Sequence, residues 1–131
     1  TLIGCINQRL ARCLCPQCKT PAATPNAIPA GLDALLAGVQ HMRGEGCDYC
    51  RHTGFHGRVP VYEMLVFDAP LARWVEEGGS RARLEGLLTE ANHVPVWDTG
   101  ARLVREGLTT VDELVRVFGT RDALASASLR G

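Results

Sequence analysis

The sequence has no surplus of charge of either sign, and it has few aromatic residues. Its 14 Lys and Arg residues balance 14 Asp and Glu residues, and aromatic residues make up 5% of the 131 residues. A chain without net positive charge lacks the broad basic face that collects phosphate backbones, so nucleic-acid binding is the weaker interpretation. Because aromatic rings are scarce, the core must be built mainly from Leu, Val and Ala.

The sequence also lacks a long apolar run and a phosphate-binding loop. No stretch has the length of a membrane span or of a secretion signal, so we expect neither in this chain. The only lysine, Lys19, does not close a Gly-x-x-x-x-Gly motif, which excludes nucleotide binding by a P-loop. Because no nucleophile elbow or acid-base pair is present either, we expect no enzymatic activity from this chain alone.

Six cysteines are the most informative residues of the sequence. Four of them form two Cys-x-x-Cys pairs, Cys15 with Cys18 and Cys47 with Cys50. Two such turns that meet supply four thiolates, which is the tetrahedral ligand set of a structural zinc ion. Because four sulfurs leave no coordination position for water or substrate, the predicted Zn²⁺ is structural and no catalytic residue is assigned.

Two other interpretations of the cysteines rank below zinc. Either pair can be a thioredoxin-like redox motif, or the cysteines can be buried free thiols. Redox chemistry typically uses one pair at a helix start in a βαβ unit, and this sequence has two pairs and no such unit. The remaining two cysteines stand alone, and Cys13 is interpreted as a small buried residue at the end of an apolar helix.

Histidines and cations near the cysteine pairs receive secondary roles. We interpret His52 and His56 as hydrogen-bond donors to the site or as solvated loop residues, and His41 and His93 as surface or loop residues. Four thiolates around Zn²⁺ carry a charge of −2, which nearby cations can screen. The candidate cations are Arg12, Lys19, Arg43, Arg51 and Arg58.

The segments around the cysteine pairs alternate between loops and short elements. Residues 20–29 are rich in Pro and Ala and predict a loop, and apolar residues at helical spacing predict a short helix over 32–39. Glycines around the second pair suit tight turns close to sulfur; they are Gly44, Gly46, Gly54 and Gly57. Residues 58–66 contain Pro60 and predict an edge strand or an extended connector.

Four helices are predicted after this extended segment. Asp68 and Ser80 cap the first two, Asp98 or Thr99 begins the third, and Thr110 with Glu113 forms a capping box for the fourth. Gly107 supplies the left-handed stop between the last two helices. The apolar residues predicted to face the core are Leu71, Trp74, Val75, Leu84, Leu87, Leu88, Ala91, Leu103, Val104, Leu114, Val117 and Phe118.

The predicted fold is therefore mainly α, with a small irregular tetracysteine zinc-binding module, short β elements and a helical C-terminal subdomain. We expect three parts: residues 1–66 with the zinc module, the helical subdomain over 67–118, and a flexible tail over 119–131. Because Thr1 is not preceded by Met, we also expect the chain to be a piece of a longer protein.

Several motifs in fixed order give the sequence a family resemblance. Residues 8–12 lead into Leu-Cys-Pro-Gln-Cys at 14–18, and Gly-Cys-Asp-Tyr-Cys at 46–50 precedes Thr-Gly-Phe-His-Gly-Arg at 53–58. Tyr-Glu-Met-Leu at 62–65, Asp-Thr-Gly at 98–100 and the segment 107–117 continue the series. Over residues 1–118 this sequence resembles the C-terminal part of the type II secretion and type IV pilus assembly ATPases, departing from the family pattern at Cys5 and over 93–97.

This resemblance implies a module that follows a RecA-like ATPase core whose P-loop lies upstream of Thr1. In that family the tetracysteine module binds zinc and is followed by a helical subdomain. Gln8, Arg9 and Arg12 match the segment that leaves the core and lie near the subunit junction. The implied partners are the rest of the parent ATPase, its neighbours in a hexamer and inner-membrane platform proteins.

The implied function is structural, in a machine that powers protein secretion or pilus assembly. The implied location is the cytoplasm, with attachment to the inner membrane through partners and without nucleic acid or direct membrane insertion. The alternative interpretation is a zinc-ribbon module that binds nucleic acid or a thiol redox module.

Overall fold

The computed structural model describes residues 2–91 and 93–119, which form four strands followed by four helices. In chain order the elements are β1 (Gly4–Leu14), β2 (Lys19–Pro21), β3 (Met42–Gly44), β4 (Phe55–Val66), α1 (Ala69–Glu76), α2 (Arg81–Glu90), α3 (Val96–Arg105) and α4 (Val111–Phe118). The helical C-terminal region agrees with the prediction. The prediction of a mainly α fold is not confirmed for the whole molecule, because strands β1 and β4 are 11 and 12 residues long.

Strands β1 and β4 form a long antiparallel ribbon. Their register pairs Gly4 with Val66 and Leu10 with Pro60, and it shifts between Arg12 and Leu14. The predicted extended segment 58–66 is therefore part of a strand, whereas the predicted helix that ends at Cys13 is wrong. The partner of β1 lies about 50 residues further along the chain, so the local apolar pattern does not reveal the pairing.

The two short strands connect the cysteine pairs. Strand β2 begins directly after Cys18, and strand β3 ends shortly before Cys47, with Lys19 paired to Gly44. This small antiparallel sheet brings the ends of the two Cys-x-x-Cys loops side by side. The predicted helix over 32–39 is wrong, because these residues form turns, although Leu32 and Leu36 are buried as its apolar pattern predicted.

The predicted helix caps are largely confirmed. Asp68 accepts a hydrogen bond from the Leu71 N–H, Ser80 accepts one from the Arg83 N–H, and Thr110 starts α4 in the same way. Helix α3 begins at Val96 after Pro95, so the predicted start at residue 98 or 99 is wrong. Pro95 has no side-chain cap bond, and its ring fixes φ before the first turn.

The core lies between the ribbon and the last two helices. Trp97 is its largest buried side chain, and the cluster also contains Ala11, Leu32, Leu36, Val61, Val96, Ala101, Leu103, Val104, Val111, Leu114 and Phe118. Residues on both sides of the predicted division between 66 and 67 contribute to this core. The division itself stays a prediction, as does the tail over 119–131, of which residues 120–131 lie outside the described residues.

The first two helices contribute less to the core than predicted. Leu71 of α1 is buried, but Val75 is 49% exposed. Helix α2 has no buried residue; Leu84, Leu87 and Leu88 are half-buried and Ala91 is exposed. The helical spacing therefore predicts correctly which face of α2 is partly covered, but no residue on that face is fully buried. Among the described residues, no helix has both the length and the apolar character needed to cross a membrane.

Candidate metal centre

The two Cys-x-x-Cys loops place four sulfur atoms together. The Sγ atoms of Cys15, Cys18, Cys47 and Cys50 all lie within 4.8 Å of one another. Cys15 and Cys50 are buried, and the other two are half-buried. The predicted ligand residues are thus brought to one point by loops 32 residues apart in the sequence.

The sulfur separations suit metal coordination and not disulfide bonding. Cys15 Sγ lies 3.8 Å from Cys47 Sγ, Cys18 Sγ lies 3.8 Å from Cys50 Sγ, and Cys47 Sγ lies 3.8 Å from Cys50 Sγ. A tetrahedron with metal–sulfur distances of about 2.3 Å has sulfur–sulfur edges of about 3.8 Å. A disulfide needs about 2.05 Å. The four sulfurs can therefore hold a metal ion in tetrahedral coordination.

Backbone N–H groups point at the sulfurs. Gly46 donates to Cys18 Sγ at 3.3 Å, and Cys47 and Gly54 donate to Cys50 Sγ at 3.3 and 3.2 Å. Such bonds spread the negative charge of thiolates and orient them. The backbone of the second loop is therefore arranged to donate hydrogen bonds to sulfurs of both pairs.

The pKa values of the Cys18 and Cys50 thiols are shifted in opposite directions. Burial raises the pKa of the Cys18 thiol to about 12, and the neighbouring thiols add to this rise while the Gly46 N–H opposes it. Burial also acts to raise the pKa of Cys50, but hydrogen bonds from the N–H groups of Cys47 and Gly54 and from the Cys47 and Cys18 thiols together outweigh it and lower that pKa to about 6. Four adjacent thiols cannot all ionise without a cation between them, because like charges repel.

Glycine is required where the second loop turns back. Gly54 has φ +76°, and a Cβ there would lie 2.5 Å from the carbonyl oxygen of Gly44. Gly46 has φ +94°, and its Cβ would lie 2.9 Å from the His52 carbonyl oxygen. The predicted need for residues without a Cβ is thus confirmed at these positions. Arg51 and His52 also have positive φ, at 54° and 61°, a conformation that is strained for such residues.

The histidines lie away from the sulfurs or are buried elsewhere. His52 Nε2 lies 3.0 Å from Asp48 Oδ1 in an exposed pair, and the His56 ring contacts the Tyr49 ring with centroids 4.3 Å apart. His52 is an exposed loop residue, as predicted, whereas His56 is an exposed residue of strand β4. His41 lies in the loop before β3, in agreement with the predicted surface or loop placement, but it is buried there, with 5% exposure. The His93 side chain is also largely buried, with Nε2 3.7 Å from Glu63 Oε2.

Three of the nearby cations, Arg12, Lys19 and Arg43, bind other groups. Lys19 Nζ donates to the Gly107 carbonyl oxygen at 3.2 Å, and Arg43 pairs with Glu45 at 2.9 Å. Arg12 binds Glu113 and does not face the sulfurs. Of the lone cysteines, Cys5 is exposed and Cys13 is half-buried, where burial raises the pKa of its thiol.

Glu113 is an important residue that sequence reasoning missed. Its side chain is 0% exposed, although it is charged. It accepts hydrogen bonds from the Arg12 backbone N–H at 2.9 Å, from Arg12 Nη2 at 2.8 Å and from Arg116 Nε at 2.9 Å. Burial acts to raise the pKa of Glu113, but Arg116 and Arg12 outweigh it and lower that pKa to about 2. The capping-box pattern identified Glu113 as a local helix residue, whereas its partner Arg12 is 101 residues away.

Comparisons with known proteins agree with the motifs. The model of the family described as Type II/IV secretion system protein matches residues 1–116. The Type IV pilus assembly ATPase TfpB of Acinetobacter baylyi is 37% identical over 123 residues, which cover 89% of this chain and 20% of that protein. The Type II secretion system protein E of Pseudomonas aeruginosa is 34% identical over 119 residues, which cover 89% of this chain and 23% of that protein. The chain thus spans about a fifth of the length of these relatives.

Proposed function

Because the chain belongs to the type II/IV secretion system protein family, we propose that it is a structural zinc-binding module of a secretion or pilus assembly ATPase. The ATPase activity named for the relatives belongs, in this proposal, to parts of the parent protein outside this chain. The module itself acts mechanically, by holding a fixed shape against the rest of the motor.

The single observation that carries the proposal is the grouping of Cys15, Cys18, Cys47 and Cys50. An all-sulfur set favours Zn²⁺ or an iron–sulfur cluster over Mg²⁺ or Ca²⁺, which prefer oxygen ligands. Four ligands fill a tetrahedral zinc, so the ion supplies structural cross-linking and no open position for a reaction.

A cross-link is physically useful at this place. Residues 22–41 and 45–54 contain no helix or long strand, and most of their side chains are exposed or half-buried. Burial alone stabilises such loops weakly, whereas a structural zinc ion contributes on the order of 10 kcal/mol in small domains. The ion would join the end of β1 to the start of β4 through the loops that carry the ligands.

The proposed partners follow from the family. They are the remainder of the parent ATPase, the neighbouring subunits of its hexamer and the inner-membrane platform proteins of the machine. We accordingly propose that the module works in the cytoplasm at the inner membrane, attached through those partners. Exposed apolar residues on the ribbon, among them Ile6, Met64 and Val66 at 62%, 49% and 63% exposure, support contact with other protein surfaces.

Metal analysis tests the proposal. The chain is purified under reducing conditions, and its metal content is measured together with its melting temperature. We expect one zinc ion per wild-type chain and loss of the ion in Cys47→Ser, with a lower melting temperature. Cys5→Ser is the matched control, because Cys5 is exposed and outside the sulfur group, and we expect it to retain the ion.

Three results would contradict the proposal. One is unchanged metal content and melting in Cys47→Ser. Another is a reduced, folded wild-type chain that holds no metal and cycles between dithiol and disulfide, which would favour the redox interpretation. The third is salt-sensitive DNA binding by the zinc-loaded chain, which would favour the nucleic-acid interpretation.

A further inference from the structure

The buried carboxylate of Glu113 lies at the junction between the metal-binding loops and helix α4. It binds Arg12 of β1 and Arg116 of its own helix, and we name these three residues the Glu113 cluster. Arg12 and Arg116 are 44% and 56% exposed, whereas the Glu113 side chain is fully buried between them. A buried carboxylate persists only when such partners compensate its charge, so the cluster is formed as a unit or not at all.

A continuous series of contacts joins this cluster to the sulfurs. Gly54 donates its N–H to Cys50 Sγ, and its carbonyl oxygen accepts the Cys15 N–H at 2.9 Å. The Arg12 guanidinium lies over the ring of Phe55, with Cζ 4.1 Å from the ring centre. Phe55, which follows Gly54 at the start of β4, therefore packs directly on Arg12, and Arg12 in turn binds Glu113.

The turn before α4 is bound to the same stretch of β1. Leu14 donates its N–H to the Leu108 carbonyl oxygen at 2.8 Å, and Thr109 Oγ1 donates to the Arg12 carbonyl oxygen at 2.9 Å. Lys19, next to the ligand Cys18, reaches the Gly107 carbonyl oxygen. Residues 107–110 and Glu113 thus dock on the segment that leads into the first Cys-x-x-Cys loop.

We infer that the Glu113 cluster couples the tetracysteine centre to helix α4, so that a metal ion bound by the four sulfurs determines how firmly α4 is docked. This inference rests on the proposed zinc binding. In this inference the tetracysteine centre has a regulatory role, because binding or loss of the metal ion changes how firmly α4 is held. Among the described residues, helix α1 has no hydrogen bond or ion pair to the loops that carry the cysteine pairs, so it serves as an internal reference.

Hydrogen–deuterium exchange tests the coupling. Exchange is followed by mass spectrometry in the reduced chain, loaded with Zn²⁺ and after chelation. In the wild type we expect chelation to raise exchange in the metal-binding loops and in α4, by roughly tenfold or more in α4. Exchange in α1 should change far less.

Two variants separate the cluster from the metal site. In Glu113→Gln we expect one bound zinc ion as in the wild type, fast exchange of α4 even when zinc is bound, and a change on chelation below roughly twofold. Asp112→Asn is the matched control on the same helix turn, because Asp112 is exposed and outside the cluster. We expect it to respond to chelation as the wild type does.

The failures of the two proposals can be told apart. The coupling alone would be overturned if the chain binds zinc and chelation raises exchange in the metal-binding loops but not in α4. An equal rise in exchange in α1 and α4 on chelation would also overturn the coupling, because the chain would then lose structure as a whole. A wild-type chain that binds no zinc would overturn both this inference and the proposed function.

Discussion

The metal-binding loops and the α3–α4 pair are neighbours in space that differ in what stabilises them. In residues 45–54 the stabilising contacts are N–H bonds to sulfur, turns and two glycine positions where no side chain fits. In α3, seven of ten residues are buried, among them Trp97 and Leu103. The loops therefore depend on backbone geometry around the sulfurs, whereas the helices depend on apolar burial.

A substitution in either region should therefore act first on that region's own stabilising contacts, and it reaches the other region only through the contacts that join them. Loss of core volume lowers the free energy of unfolding without altering the ligands. Loss of backbone geometry at a glycine weakens metal binding without creating a cavity. The Glu113 cluster is the place where the two kinds of stabilisation meet.

Truncation of Trp97 is expected to have the largest effect on stability. Trp97 is 1% exposed and contacts Phe118 with ring centroids 5.8 Å apart. We expect Trp97→Ala to lower the free energy of unfolding by about 3 to 5 kcal/mol, measured by denaturant titration. The folded fraction should still bind one metal ion. Loss of the metal from folded Trp97→Ala would show that the positions of the sulfurs depend directly on apolar burial around Trp97.

The glycine that closes the second loop is expected to come next. Gly54→Ala forces a side chain into positive φ and against the Gly44 backbone, so we expect weaker zinc binding and a loss of at least about 2 kcal/mol. Competition with a zinc chelator measures the affinity. Gly57→Ala is the control, since Gly57 also has positive φ but no atom lies within 4 Å of its added Cβ. Equal zinc affinities of the two variants would refute the role assigned to close backbone approach.

Acid is expected to weaken the contact between the regions by a smaller amount. The pKa of Glu113 is lowered from 4.5 to about 2 in the folded protein. A lowered folded-state pKa gives stability that is present above the unfolded pKa and is lost as pH falls through 4.5 toward 2. We expect Asp112→Asn to lose about 1 to 2 kcal/mol more than Glu113→Gln between pH 6 and pH 3, measured with chelator present in both. If the free energies of unfolding of the two variants fall in parallel as the pH is lowered, Glu113 does not carry this pH dependence.

The grouping of four cysteines was the feature that the sequence predicted best. Two Cys-x-x-Cys pairs identified the four residues whose sulfurs come together, because a metal site needs particular atoms at short spacing within each loop. Three helix caps were also predicted, since a cap involves residues within one turn. The helix over 32–39 was not confirmed, because its apolar spacing also suits a series of turns with Leu32 and Leu36 on one side.

The sequence by itself determined the local features of this protein: the two Cys-x-x-Cys pairs, the glycine turns, the caps and the family motifs. Only the tertiary structure decided that β1 is a strand paired with β4, that α2 buries no residue, and that Glu113 binds Arg12. The physical reason is distance along the chain. Caps and Cys-x-x-Cys loops are fixed by residues a few positions apart, whereas the ribbon and the Glu113 cluster exist only after segments about 50 and 101 residues apart have met.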